Sequence, residues 1–141
     1  MQTHILESEK AKSGSKYFDF LRSAYLLMNL AVYFGFAVGF LVQPNPLAEM
    51  IGISFRSTAA LADFRAMYGG LCLGIGILIL SGMLRPTARI AAIQLSLLTA
   101  AGLFLGRLIT IVFDGPGNEY IYISMFTEAV GVFLGWFLLR K

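Results

Sequence analysis

The sequence reads as an all-α integral membrane protein, a four-helix bundle with both termini on the cytoplasmic side. Three observations carry that reading. Hydrophobic residues make up 57% of the 141-residue chain and charged residues only 13%, against about 45–50% and 25% in soluble domains. Apolar windows of the roughly 20 residues that cross a bilayer recur four times, at about 20–43, 58–84, 89–113 and 119–139. All four prolines, Pro44, Pro46, Pro86 and Pro116, fall between those windows, where a residue that breaks helix interiors is tolerated.

Residues 1–16, MQTHILESEKAKSGSK, are polar with mixed charge and no periodic apolar face, so a flexible leader is expected there, followed by the bundle over 17–141. Cleavage as a signal peptide is not expected, because the apolar core that follows is too long and ends in VQPNP without a small-residue cleavage pattern. The only histidine, His4, lies in this leader, which leaves no histidine for chemistry in the spans. Span one sets Arg22, Tyr25, Asn29, Tyr33 and Phe36 at spacings of three or four, one stripe of a helix that reads as a bundle-facing seam. After it, PLAEMIGI fits a short interfacial helix, capped by Asn45 with Pro46 at the first helical position.

Span two opens with DFRAMYGGLCLGIG, two opposite charges and four glycines within an apolar run. At about 100° per residue, Arg65, Tyr68, Gly69, Cys72 and Gly76 share one side, with Asp63, Met67, Gly70 and Gly74 nearly opposite. The lone Cys72 has no disulfide partner and reads as a small packing residue. RPTAR makes a tight connection to span three, which places Ser96, Ala100, Arg107, Thr110 and Asp114 along one face. DGPGNE is a turn by composition. Span four carries Glu128 on the face of Ser124, Gly131 and Gly135, and closes with Trp136, Arg140 and Lys141.

Sidedness follows from the basic residues. Lys10, Lys12, Lys16, Arg22, Arg85, Arg89, Arg140 and Lys141 fall on the side of the termini and the RPTAR loop, and only Arg56 on the other. That bias predicts cytoplasmic termini, hence a multi-pass protein of the bacterial inner membrane, N-in and C-in. Every span also contains a GxxxG, at Gly35/Gly39, Gly70/Gly74, Gly102/Gly106 and Gly131/Gly135. Small residues let helix backbones approach where lipid supplies no hydrophobic drive, so these pairs are expected to pack the bundle or dock other transmembrane segments.

Three of the charges within the spans lie at one depth. Counted back from the non-cytoplasmic ends at 1.5 Å per residue, Arg65, Arg107 and Glu128 share a depth of about 10–14 Å, with Tyr33 in the same layer and Tyr68 one turn deeper. Charges at such depth normally face the bundle interior, pair, or line a wet cavity. The expected arrangement is one Glu128 carboxylate accepting from the Arg65 and Arg107 guanidinium forks, with Asp63 or Asp114 available to balance the remaining positive charge. It forms either an internal polar network or an outer-leaflet cavity for an anionic lipid or a small anion.

No paired histidines, metal-ligand spacing, nucleophile elbow or phosphate loop occurs, so neither catalytic residues, nor a metal, nor a cofactor is expected. The basic residues are sorted by side of the bilayer and form no nucleic-acid groove. The leading expectation is a non-enzymatic accessory or assembly subunit of a membrane complex, whose partners are the lipid bilayer and other transmembrane segments or further copies of itself. The alternative is binding or transport of a small anionic or amphipathic ligand through a cavity lined by Arg65, Arg107 and Glu128.

RAMYGGLCLGIG in span two, GRLITIVFDG closing span three, and Glu128 in span four resemble the bacterial membrane proteins grouped as domain-of-unknown-function family 4345. The likeness covers roughly residues 20–139 and rests on Arg65, Tyr68, Gly69, Gly70, Gly74, Gly106, Arg107, Asp114, Gly115 and Glu128. It implies a four-helix inner-membrane bundle, distantly like the DoxX-type small membrane proteins. It implies no activity, and it leaves the 16-residue leader outside the matched pattern.

Overall fold

Four helices long and apolar enough to cross a membrane, Lys16–Val42, Thr58–Leu84, Pro86–Asp114 and Glu119–Leu139, occupy the four apolar windows. A computed structural model describes the backbone of residues 2–140 and the side chains of residues 16–140. Its elements are α1 (Gln2–Val42), α2 (Pro44–Met50), α3 (Thr58–Phe64), a π-helical turn (Arg65–Gly70), α4 (Leu71–Leu84), a 3-10 turn (Pro86–Ala88), α5 (Arg89–Asp114) and α6 (Glu119–Leu139). No strand occurs among the described residues. The helix α1 shows no break at residue 16, where a flexible leader was expected to end. ILESEKAK is rich in good helix formers and has no proline, so the polar stretch continues the helix of span one.

Each span packs along its neighbour in sequence, and α1 also touches α5 and α6. Consecutive spans are therefore antiparallel, which gathers the start of span one, the 85–89 turn and the end of α6 at one end of the bundle. Polar contacts tie that end. Asp19 pairs with Arg89 at 3.5 Å and with Arg22 at 3.8 Å. Arg22 also donates to the Leu138 carbonyl through Nε at 3.4 Å and Nη2 at 3.3 Å, satisfying an acceptor that the last turn of α6 leaves open. The buried core lies toward the same end and in the middle: Tyr25, Leu26, Tyr33, Ile79, Ala92, Ile93 and Leu138.

Close helix approach depends on particular glycines. A Cβ on Gly82 would lie 2.2 Å from Ala92 Cβ, one on Gly76 2.9 Å from the Phe34 ring, one on Gly69 2.7 Å from Leu41 Cγ, and one on Gly135 2.7 Å from Tyr25 Oη. Of the four GxxxG pairs, only some pack the bundle. In α6 the pair does face inward, with Gly135 buried and Gly131 against Ala100, and Gly39 meets Leu47. Gly35, Gly70, Gly74, Gly102 and Gly106 are exposed, and Cβ positions built on Gly35, Gly74, Gly102 and Gly106 meet nothing within 4 Å. A spacing of four identifies a shared helix face but not which way it points; the phase of the helix in the bundle decides that.

The short helix α2 also differs from expectation. It starts at Pro44, with Gln43 rather than Asn45 at the N-cap and no side-chain cap. Gln43 N–H still donates to Gly39 O of α1 at 2.8 Å, and Pro44, which has no N–H, fits the first turn that follows. At its C-terminus Gly52 takes a left-handed φ of 76°. Gly52 N–H donates to Glu49 O and Ile53 N–H to Ala48 O, the Schellman closure that glycine permits. Span two then starts at a capped end, with the Ser57 hydroxyl accepting from Ala60 N–H at 3.1 Å. Span four does likewise, with the Asn118 side chain accepting from Ile121 N–H at 3.2 Å.

Candidate functional site

The expected charged layer forms in part. Arg107 on α5 donates from Nη1 to Glu128 Oε1 on α6. Both side chains are largely withdrawn from the surface, Glu128 retaining 11% exposure and Arg107 23%. The guanidinium also approaches the Tyr120 ring, 6.0 Å from its centroid, an attractive placement for a cation. Glu128 Oε2 is buried and receives no hydrogen bond from the described residues. Tyr33 of α1, in the layer expected for it, is buried in the bundle core.

This pair heads a polar seam along the bundle interior. Below it, Tyr25 Oη donates to the Gly131 carbonyl at 3.1 Å, Asn29 Nδ2 donates to the Tyr25 carbonyl at 2.9 Å, and the buried Ser96 hydroxyl donates to Ala92 O at 3.0 Å. The stripe on span one points inward at Tyr25 and Tyr33, whereas Phe36 at its end is exposed. In hydrocarbon, polar side chains that find helix partners avoid the cost of an unmet donor or acceptor.

Arg65 is not in the network. It is exposed, and among the described residues it has no carboxylate partner, so Glu128 accepts from one guanidinium fork and not two. The π-helical turn explains the displacement. Leu71 N–H donates to Ala66 O, five residues back, so the turn holds one residue more than an α-helical turn. That extra residue shifts everything upstream by about 100° relative to α4. Gly69, Cys72 and Gly76 remain turned toward the bundle, while Arg65 and Tyr68 rotate off the face that uniform α-helical spacing gives them. Asp63 and Asp114 are likewise exposed and outside the layer.

Sequence reasoning missed an aromatic cluster at the non-terminal end. Phe64, buried, stacks on Tyr68 with centroids 4.5 Å apart, meets Phe55 edge-on at 5.0 Å and Phe40 edge-on at 5.5 Å. Phe40 adds a tilted contact to Tyr68 at 5.4 Å and a stacked one to Phe36 at 5.7 Å. The available signal was Phe36/Phe40 and Phe64/Tyr68, each at i,i+4. Phe55 enters from the connector through the turn at Gly52, which no periodicity announces. Among the described residues, no group of three or more His, Cys, Asp or Glu side chains is placed to hold a metal.

The family model for a domain of unknown function, DUF4345, matches residues 21–139. No curated protein and no solved structure matches the chain.

Proposed function

Because the chain belongs to the DUF4345 family of unknown function, we propose a role from its own geometry: a non-enzymatic, multi-pass subunit that assembles with other transmembrane helices through outward-facing glycine surfaces. The observation that carries this is the open ground over Gly70/Gly74 on span two and Gly102/Gly106 on α5. These glycines are exposed, and a Cβ built on any of them meets no side chain within 4 Å among the described residues. Lipid gives two helices little hydrophobic reason to associate, so close backbone approach at small residues is a principal source of attraction. The basic residues gathered at the end with the termini support an N-in, C-in orientation in the bacterial inner membrane. In this reading the Arg107–Glu128 pair fixes the register of α5 against α6.

Crosslinking of the full chain in its native membranes tests the reading. Wild type is expected to yield a specific transmembrane partner or a homo-oligomer. Gly70→Leu/Gly74→Leu and Gly102→Leu/Gly106→Leu, which fill only outward space, are expected to weaken that product. A strictly monomeric protein with no crosslinked partner refutes it.

One observation favours a second reading. Glu128 Oε2 is a buried acceptor without a donor among the described residues, on the carboxylate that pairs with Arg107, which suits a small amphipathic ligand that offers a donor to the carboxylate and an anionic group to the guanidinium. Retention of the same co-purified molecules by Arg107→Gln as by wild type rules it out.

A further inference from the structure

A second polar feature lies about 8 Å inside the start of span two, five residues from Thr58 at 1.5 Å per residue. Asp63 is exposed and, among the described residues, has no ion-pair partner. Arg65, two positions on, does not share its side of the helix. Such a carboxylate within a membrane-spanning segment costs a few kcal/mol unless it meets a cation or water. Asp63 lines a cleft of about 260 Å³ between the connector and span two, walled by Ile53, Phe55, Phe64, Met67 and Tyr68. Three of those walls are aromatic, and the negative faces of such rings attract ammonium groups. One carboxylate among aromatic rings is the chemistry that recognises an alkylammonium ion.

The cleft is smaller than the roughly 300–1,000 Å³ of pockets that enclose a whole small molecule, so it fits a headgroup whose tail stays outside. Met67 and Leu71, exposed one turn apart along span two, continue from the cleft as an apolar track for such a tail. Arg56, exposed and next in sequence to the cleft-lining Phe55, is a cation on the same connector. We propose that this cleft binds the headgroup of an aminophospholipid of the surrounding bilayer. Its primary ammonium meets the Asp63 carboxylate beside the Tyr68 ring, its phosphate lies toward Arg56, and its acyl chains run along Met67 and Leu71. The site is separate from the Arg107–Glu128 pair and does not depend on the assembly role.

Native mass spectrometry of the full-length protein in detergent, titrated with dioleoyl phosphatidylethanolamine or dioleoyl phosphatidylglycerol, tests the assignment. Wild type is expected to hold phosphatidylethanolamine in preference to phosphatidylglycerol. Asp63→Asn is expected to weaken phosphatidylethanolamine binding about tenfold, the loss of one charged hydrogen bond, with phosphatidylglycerol binding unchanged. Asp63→Glu, which keeps the charge, is expected to retain the preference and shows that the asparagine variant loses an ammonium partner and not its fold. Equal binding of the two lipids by wild type, or an undiminished preference in Asp63→Asn, overturns the proposal. Saturable binding of dodecyltrimethylammonium at Asp63 without any phosphatidylethanolamine preference overturns the lipid assignment in favour of a free cationic amphiphile.

Discussion

Removing one member of the Arg107–Glu128 pair strands the other inside the bundle, and the size of the penalty follows from how far each is withdrawn. Breaking a buried pair costs about 3–5 kcal/mol, and an unpaired charge at mid-span roughly 2.5–3.5 kcal/mol on insertion scales. Glu128 keeps 11% of its side chain exposed and has a short stem, whereas Arg107 keeps 23% and can reach along α5 toward the interface. Arg107→Gln, which strands the carboxylate, is therefore expected to cost about 3 kcal/mol. Glu128→Gln, which strands the guanidinium, costs about 1.5 kcal/mol. The double variant strands neither and costs about 1.5 kcal/mol for lost interhelical bonding, which leaves a coupling of about 3 kcal/mol. Unfolding from mixed micelles into SDS measures all three, read by the fluorescence of Trp136, the chain's single tryptophan. A coupling under about 0.5 kcal/mol, below the range for residues in contact, refutes the pairing, and a larger loss for Glu128→Gln than for Arg107→Gln refutes the exposure argument.

Three further outcomes follow from the packing. Gly82→Ala forces a Cβ to 2.2 Å from Ala92 Cβ and is expected to destabilise the bundle by about 1–3 kcal/mol or more through overpacking, whereas Gly102→Ala, with open space around it, leaves the same SDS midpoint unchanged or higher. Tyr25→Phe removes the bond to the Gly131 carbonyl and is expected to cost about 0.6 kcal/mol, the average for such bonds between transmembrane helices, by the same unfolding assay. Arg22→Ala frees the Leu138 carbonyl, so hydrogen exchange is expected to quicken in the last turn of α6 while the centre of that helix stays protected; uniform exchange along α6 contradicts the capping role.

The spans were legible because hydropathy and proline placement report the same boundaries: the window at 58–84 coincides with Thr58–Leu84 and that at 119–139 with Glu119–Leu139. Glu128 and Arg107 were legible as a pair because two opposite charges at equal depth have few other partners in hydrocarbon. Arg65 was misplaced for a physical reason, since face assignments assume a constant 100° per residue and RAMYGG departs from it. The glycines were misjudged for a related one. Gly69, Gly76 and Gly82 face neighbouring helices while Gly70 and Gly74, on the same helix, do not; glycine occurs on both faces, and only the rotation of the helix tells which of them is packed. The pairing of Phe55 with Phe64 was illegible because Phe55 lies in the connector beyond the Gly52 turn, nine positions before Phe64, where no helical spacing relates the two.

The π-helical turn gives span two two numbering schemes joined at one point. Up to and within the first half of Arg65–Gly70 the helix addresses the lipid and the connector with Asp63, Arg65 and Met67; downstream it addresses the bundle with Cys72, Gly76 and Ile79. A residue change tunes one address or the other, but the removal of a single residue within the turn rewrites the first half entirely. It would swing Arg65 toward the interior where Glu128 has an acceptor to spare, and carry Asp63 away from its aromatic walls. A one-residue length polymorphism in this turn is therefore a change of surface identity and not merely of helix length.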